Sequence, residues 1–351
     1  MEFQGYNNSA NQTPPNQVPP QPVPPVFYTE KKKKGGLMGF FRGIFMGISV
    51  LIKIFFILVF IGIIGFFVSD KKDDLMEDIV RQGPEDAKIA IVNLEDTIYD
   101  EQADSIYKQL AAAQNSEFVK AVILRVNSPG GTVSASDRIY HDIMNFRNKT
   151  HKPVIAFMQG TAASGGYYAS VACEKIIAEP TTITGSIGVI SSYLVLQNLL
   201  EDKLGVQPVV IKSGEKKDWP SNYRAPSEEE IQYIHDKLIK PTLDIFVNVV
   251  AKGRESVLSL EEVKELADGS IFGAQEALEK KLIDDIGYLD DAINMAKSIA
   301  GINEAQVIQY KRPFSFGGIM GVESKQNLLN LDRNTLFELG TPQVMYLWNA
   351  Y

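Results

Sequence analysis

From Gly43 to Val68 (GIFMGISVLIKIFFILVFIGIIGFFV) the chain runs for 26 residues with one charge, Lys53. As a helix rising 1.5 Å per residue, such a run exceeds the roughly 30 Å hydrocarbon thickness of a bilayer. It therefore predicts one membrane-spanning helix. The uninterrupted part, Ile54 to Val68, is 15 residues, so Lys53 either snorkels to the inner interface or sits inside the span. The run is longer than a signal-peptide core, and no small-x-small cleavage site follows it closely, so it reads as a retained signal anchor. Lys31 to Lys34 and Arg42 precede it, whereas Lys71 and Lys72 follow among Asp70, Asp73 and Asp74. Five basic residues against two place the N-terminus in the cytoplasm and the large remainder outside.

The span divides the chain. Residues 1–42 form a Pro-, Gln- and Asn-rich, then basic, tail with too few apolar side chains for a core, and the reading is disorder with polyproline character. Residues 69–86 read as a charged linker. Past residue 69 the chain holds 29 basic and 41 acidic residues, a net of −12, which argues against nucleic acid or an anionic lipid surface as a partner of the outer part. A single cysteine, Cys173, excludes an intrachain disulfide and reads as a small core residue. No cluster of Cys, His and carboxylates at ligand spacing appears, so neither metal nor cofactor is expected.

From residue 87 to 300, short apolar runs alternate with amphipathic ones. Strands are predicted at Lys88–Leu94, Ala121–Val126, Pro153–Met158, Lys175–Ala178, Ile187–Ile190 and Val209–Ile211. Helices are predicted at Ala103–Gln114, Ser134–Arg147, from Ser164, around Tyr193–Leu204, at Ser227–Ala251 with Ser227 as N-cap, and at Ser259–Ala267, Gly273–Lys280 and Leu289–Ala300. Repeated βα units predict an α/β domain with a mainly parallel sheet.

Two turns in this frame carry chemistry. Ser164, in Ala162-Ala163-Ser164-Gly165-Gly166, stands where a buried strand passes into a helix, with glycines that admit a substrate chain. Upstream, Pro129-Gly130-Gly131 follows another strand and offers backbone N–H groups that nothing local satisfies, as an oxyanion requires. A serine nucleophile needs a base. The three histidines, His141, His151 and His235, have no acidic partner at a suggestive spacing. Lys212, Lys216 and Lys217, in the loop after Ile211, are the alternative. A lysine serves only when neutral, so its pKa of about 10.4 must fall by roughly three units, about 4 kcal/mol, through burial.

The series R-V-N-S-P-G-G (Arg125 to Gly131), A-A-S-G-G-Y-Y (Ala162 to Tyr168), T-G-S-I-G-V (Thr184 to Val189) and I-K-S-G-x-x-K-D (Ile211 to Asp218) resembles the signal peptide peptidase A (SppA) family, of the ClpP/crotonase-like superfamily. The similarity covers about Lys88 to Ala300, in order. By position it implies Ser164 as nucleophile, Lys217 as general base, Gly131 and Gly165 as oxyanion-hole donors, and Ser186 as the serine that orients the lysine. It also implies residual signal peptides and similar apolar peptides as substrates, and a ring-like homo-oligomer, an octamer in short members. The resulting expectation is a membrane-anchored Ser–Lys endopeptidase of the bacterial cytoplasmic membrane, its catalytic domain outside. The rival expectations are a related protease acting on a membrane-protein partner and a crotonase-like acyl-CoA enzyme.

Residues 301–351 read as an extension, with a strand at Gln306–Lys311 and a Gly-rich turn near Gly317. The apolar segment Pro342 to Tyr351 is expected to dock on the domain or an adjacent subunit. A sharper alternative lays it in the peptide groove as an extra strand.

Overall fold

The computed structural model describes residues 37–69, 75–311 and 343–348. The expected disordered tail, the basic block Lys31–Lys34 and the turn near Gly317 lie outside these residues. The chain divides into two compact units, residues 1–67 and 68–351.

In the first unit, α1 (Leu37–Ser69) carries the apolar run. Its stretch Ile44–Gly62 has a mean hydropathy of 2.8 and is not buried, so this helix is long and apolar enough to cross a membrane.

Among the described residues the second unit has twelve strands. In chain order these are β1 (Met76–Arg81), β2 (Lys88–Glu95), β3 (Val119–Ser128), β4 (Gly130–Thr132), β5 (Val154–Ala163), β6 (Lys175–Ala178), β7 (Ile183–Gly185), β8 (Ile190–Ser192), β9 (Ile271–Gly273), β10 (Asp285–Ile286), β11 (Gln306–Lys311) and β12 (Gln343–Leu347). The helices are α2 (Asp100–Asn115), α3 (Val133–Thr150), α4 (Gly165–Ser170), α5 (Glu228–Ile234), α6 (Lys240–Gly253), α7 (Leu260–Leu266), α8 (Ala274–Glu279) and α9 (Leu289–Ala300). The main sheet runs β1-β11-β2-β3-β5-β6-β10, with β7 against β5 and β9 against β7. Every pairing from β11 to β10 is parallel, and only β1 and β9 join antiparallel.

Both faces of the central strands are apolar because both are covered, as parallel sheets require. Along β2, Ala90, Val92 and Leu94 face a core shared with Ile106, Ile139, Tyr168 and Phe246. Ile89 and Ile91 face the opposite core with Ala292, Ile293 and Ala296 of α9. Helix ends follow local chemistry. The Thr132 hydroxyl accepts the Ala135 N–H at the start of α3, and Ser227 and Ser259 cap α5 and α7 in the same way.

Several expectations are corrected. The linker at 69–86 contains β1, an edge strand whose ladder comes entirely from β11, so the sheet reaches beyond the 87–300 boundaries on both sides. The strand expected at Ile187–Ile190 does not form: residues 186–189 are the turn between β7, which ends at Gly185 (φ 83°), and β8, which begins at Ile190, with Ser186 (φ 50°) bending the chain. Val209–Ile211 is not a strand, and the helix expected over Tyr193–Leu204 is reduced to a π-helical turn at Leu199–Lys203. The long helix after Ser227 runs through α5, a π-helical segment His235–Ile239 and α6.

Candidate active site

β5 ends at Ala163 and α4 begins at Gly165, so Ser164 occupies the turn between them with φ 52° and ψ −114°. A left-handed φ costs a non-glycine residue on the order of 1–3 kcal/mol and persists only where surroundings enforce it. Here the Ser164 N–H donates to the Gly185 carbonyl at 2.8 Å, and the Ser164 carbonyl accepts the Tyr168 N–H at 2.8 Å. The residue is 1% exposed, and its Oγ has no hydrogen-bond partner among the described residues. Buried hydroxyls are almost always satisfied, so one held strained and unpaired calls for an explanation.

The upstream turn comes to the same place. Gly130, at φ 101°, lies so close that a Cβ built on it would stand 2.7 Å from the Gly165 nitrogen; a Cβ on Gly165 would lie 3.2 Å from the Gly131 nitrogen. The turn is fixed by Ser128, whose hydroxyl accepts the Gly130 N–H at 3.1 Å and donates to the Asp96 carbonyl. Gly131 packs on Ile98, whose N–H donates to the Gly130 carbonyl at 2.8 Å and whose carbonyl accepts the Thr132 N–H at 2.9 Å. Register adds the fourth group: β7 pairs with β5 through Ala163 and Gly185, which sets Ser186 one residue beyond the carbonyl that holds Ser164. Ser186 is buried, and its N–H donates to the Ser270 carbonyl at 2.7 Å.

Ser164, Gly131, Gly165 and Ser186 therefore converge. Lys217 does not join them in the single chain: it lies on a 3₁₀ turn, Glu215–Asp218, and is exposed. The loop nonetheless separates the three lysines chemically. Lys212 Nζ donates to Asp218 at 2.7 Å and to the Glu215 carbonyl at 2.9 Å, and its hydrogen bond holds the Asp218 carboxyl below the ordinary carboxylate value. Lys216 reaches Glu229 and lies over the rings of Trp219 and Tyr233, 4.8 and 4.5 Å from their centroids. Each therefore has an anionic or aromatic partner, whereas Lys217 has none among the described residues. The three histidines are exposed and none hydrogen-bonds to Ser164 Oγ, so the contact on which a Ser-His-Asp triad depends is not made here. The described residues hold no group of three or more His, Cys, Asp or Glu placed to bind a metal.

Two parts of the site were not singled out from sequence. Ser128 and Gly185 act through the backbone of their neighbours, and only the positive φ of Gly185 had a sequence signal, its being glycine. The apolar C-terminal segment forms β12, which lies antiparallel between β4 and β8 in a small sheet across the Pro-Gly-Gly turn. This is the extra-strand alternative for the apolar segment.

Comparison with known proteins agrees with this geometry. The family model for peptidase family S49 matches residues 146–303, and that for Clp protease matches residues 77–183. A protein of Enterococcus faecium named "Putative signal peptide peptidase SppA" is 39% identical over 250 residues, 68% of this chain and 71% of that protein. Protease 4 of Haemophilus influenzae is 35% identical over 69% of this chain, which spans 41% of that longer protein. The chloroplastic serine protease SPPA of Arabidopsis thaliana is 32% identical over 60% of this chain and 31% of its own length. With a relative this similar matched over most of its length, and with a ClpP-like α/β sheet presenting an unpaired buried serine, the chain belongs to peptidase family S49 and is a serine endopeptidase.

Proposed function

We propose that this endopeptidase works through a Ser164–Lys217 dyad. The observation that carries the reading is the buried, unpaired Ser164 hydroxyl beside the Gly131 and Gly165 amides. Neutral Lys217 takes the Ser164 proton as Oγ bonds to the peptide carbonyl carbon. The oxyanion is held by the two N–H groups, Lys217 returns the proton to the departing amine as the C–N bond breaks, and water activated by the lysine releases the acyl group. Ser186 positions the lysine.

Lys217 must leave water to become neutral, and the neighbouring chain supplies the means. Val209 is 83% and Ile211 95% exposed, and Leu204 and Val206 are exposed beside them. Apolar surface of this kind marks an interaction site. It supports a homo-oligomer, up to an octameric ring, in which this loop is covered. The apolar helix α1 supports anchoring in the bacterial cytoplasmic membrane with the N-terminus in the cytoplasm. Together with the relative's printed name, it supports residual signal peptides as the substrates.

The test uses the full chain in detergent micelles with a fluorogenic apolar peptide, comparing wild type with Ser164→Ala, Lys217→Ala and Lys212→Ala from pH 6 to 10. The expected result is loss of turnover in the first two, retention in the third, and a wild-type rate that rises through a pKa well below 10. An active Lys217→Ala chain would sink the dyad.

A further inference from the structure

The strand that leads to Ser164 changes partners on the way. Up to Met158, β5 pairs with β3 on one side and β6 on the other. From Thr161 to Ala163 the second partner is β7, whose Gly185 supplies the carbonyl that holds the Ser164 N–H. The exchange falls at an insertion. Val126 pairs with Met158 and Ser128 with Ala162, so Gln159, Gly160 and Thr161 stand opposite the single residue Asn127. Extra residues in one strand bend it and re-aim the side chains beside them. Here they take the chain out of the β6 ladder and deliver Ser164 to β7.

Three side chains bracket the insertion. On the β6 side the buried Thr182 hydroxyl donates to the Met158 carbonyl at 3.0 Å, and Gln159 Nε2 donates to Glu179 at 2.9 Å. On the β3 side Asn127 Oδ1 accepts the Thr161 N–H at 3.2 Å. Gly160 follows the bend at φ 53°, and a Cβ there would lie 3.1 Å from the same oxygen. An asparagine side chain carries an amide like that of the backbone, so it can stand in for a ladder partner that β3 lacks. The main chain at this corner reaches the oxyanion turn as well. The Asn127 carbonyl accepts the Asp96 N–H at 3.1 Å, and the neighbouring Ser128 hydroxyl accepts the Gly130 N–H. Nucleophile strand and oxyanion turn are gauged from one point.

We infer that Asn127 is a positioning residue for Ser164, its side-chain acceptor setting the insertion in β5 and so the register that brings Ser164 against Gly185. The consequence for turnover rests on the reading of Ser164 as nucleophile. Asn127 is exposed, so its one side-chain bond contributes little to global stability. Its effect is on geometry, and a misplacement of about 1 Å at a reacting group can cost about a hundredfold in rate.

The experiment compares wild type with Asn127→Ala, Asn127→Leu and Asn127→Asp as full chains in detergent micelles. With a fluorogenic apolar peptide, the alanine and leucine chains should lose kcat by about ten- to a hundredfold at unchanged KM. Their melting temperatures should stay within about 4 °C of wild type. The aspartate chain keeps an acceptor for the Thr161 N–H and should recover most of the lost kcat. In parallel, hydrogen exchange is followed at the Thr161 and Ser164 amides. Protection at both should fall by about two- to tenfold in the alanine and leucine chains and return with aspartate. With Ser164→Ala inactive, an unchanged kcat in Asn127→Ala overturns the inference, as does a loss that aspartate fails to restore. Protection lost at Thr161 but kept at Ser164 overturns it too. If Ser164→Ala stays active while protection at Ser164 still follows the Asn127 variants, the positioning stands and the nucleophile reading fails.

Discussion

A methyl group added to Gly165 would meet the Ser136 hydroxyl oxygen at 2.4 Å and the Gly130 Cα and Gly131 nitrogen at 3.2 Å. The first contact is impossible, so Ser136 Oγ must rotate and give up its 2.9 Å hydrogen bond to the Thr132 carbonyl. Ser136 is fully buried, so no water replaces that acceptor. Stranding such a group costs about 1–3 kcal/mol, and alanine recovers up to about 1 kcal/mol over glycine in a helix. Gly165→Ala should therefore destabilise the protein by about 1–2 kcal/mol. The collision is with one hydroxyl, so in a Ser136→Ala background the alanine should cost close to nothing, a coupling of about 1–2 kcal/mol in a double-mutant cycle read by urea unfolding. Activity should not follow stability. The 3.2 Å approach to the Gly131 nitrogen remains in the double variant and displaces an oxyanion donor, so kcat/KM should stay down by about a hundredfold or more. A double variant with wild-type turnover would refute the assignment of these amides. An uncoupled stability loss would refute the steric account.

Two further perturbations probe other parts of the molecule. A chain ending at Gly340 lacks β12 and should hydrolyse added apolar peptides about tenfold faster or more, since a tethered competitor acts at millimolar effective concentration; unchanged kinetics would mean that the strand does not compete. Away from the site, burial pushes the Asp284 carboxyl up, but Arg254 at 2.7 Å outweighs it with help from the Ile176 N–H and Lys175, so the group titrates below the ordinary carboxylate value. Its contribution is therefore present above the unfolded pKa and lost as pH falls through the folded one. Asp284→Asn should cost about 3–5 kcal/mol at pH 7 and flatten the acid limb of stability against pH, which thermal melts from pH 2 to 7 would check.

What the sequence made legible follows burial. β6, β11 and α9 have the expected bounds, β2 and β3 contain the expected strands, and β5 contains all of its expected strand but Pro153, because each has a partner sheet or helix on its apolar faces and so carries a periodic signal. β1 had no such signal. Met76-Glu77-Asp78-Ile79-Val80-Arg81 is exposed at every position except Asp78, which is partly buried, and it is a strand only because β11 offers it a ladder. The opposite error fell at Val209–Ile211, where an apolar run was read as a strand. The two glycine turns around Ser164 were readable because strand, glycine pair and helix lie together in sequence. Tyr168, Phe246 and Tyr346 were not, because their pocket exists only once three distant segments have folded together.

That misread run bears on the proposed base, Lys217. Val209 to Ile211 carries the composition of a covered element and lies uncovered in one chain, a few residues before Lys217. A lysine left in water at its reference pKa is neutral in only about one molecule in 2,500 at pH 7, too few to support a base that must act in every turnover. The serine side of the site is already complete within the chain, whereas the lysine side still needs desolvation. In the proposed oligomer both deficits, the bare apolar loop and the hydrated lysine, would have the same remedy: one surface laid over residues 204–217. On the proposed dyad, assembly and catalytic competence would then be a single event, the loop's hydrophobic residues serving to desolvate the lysine as well as to hold subunits together.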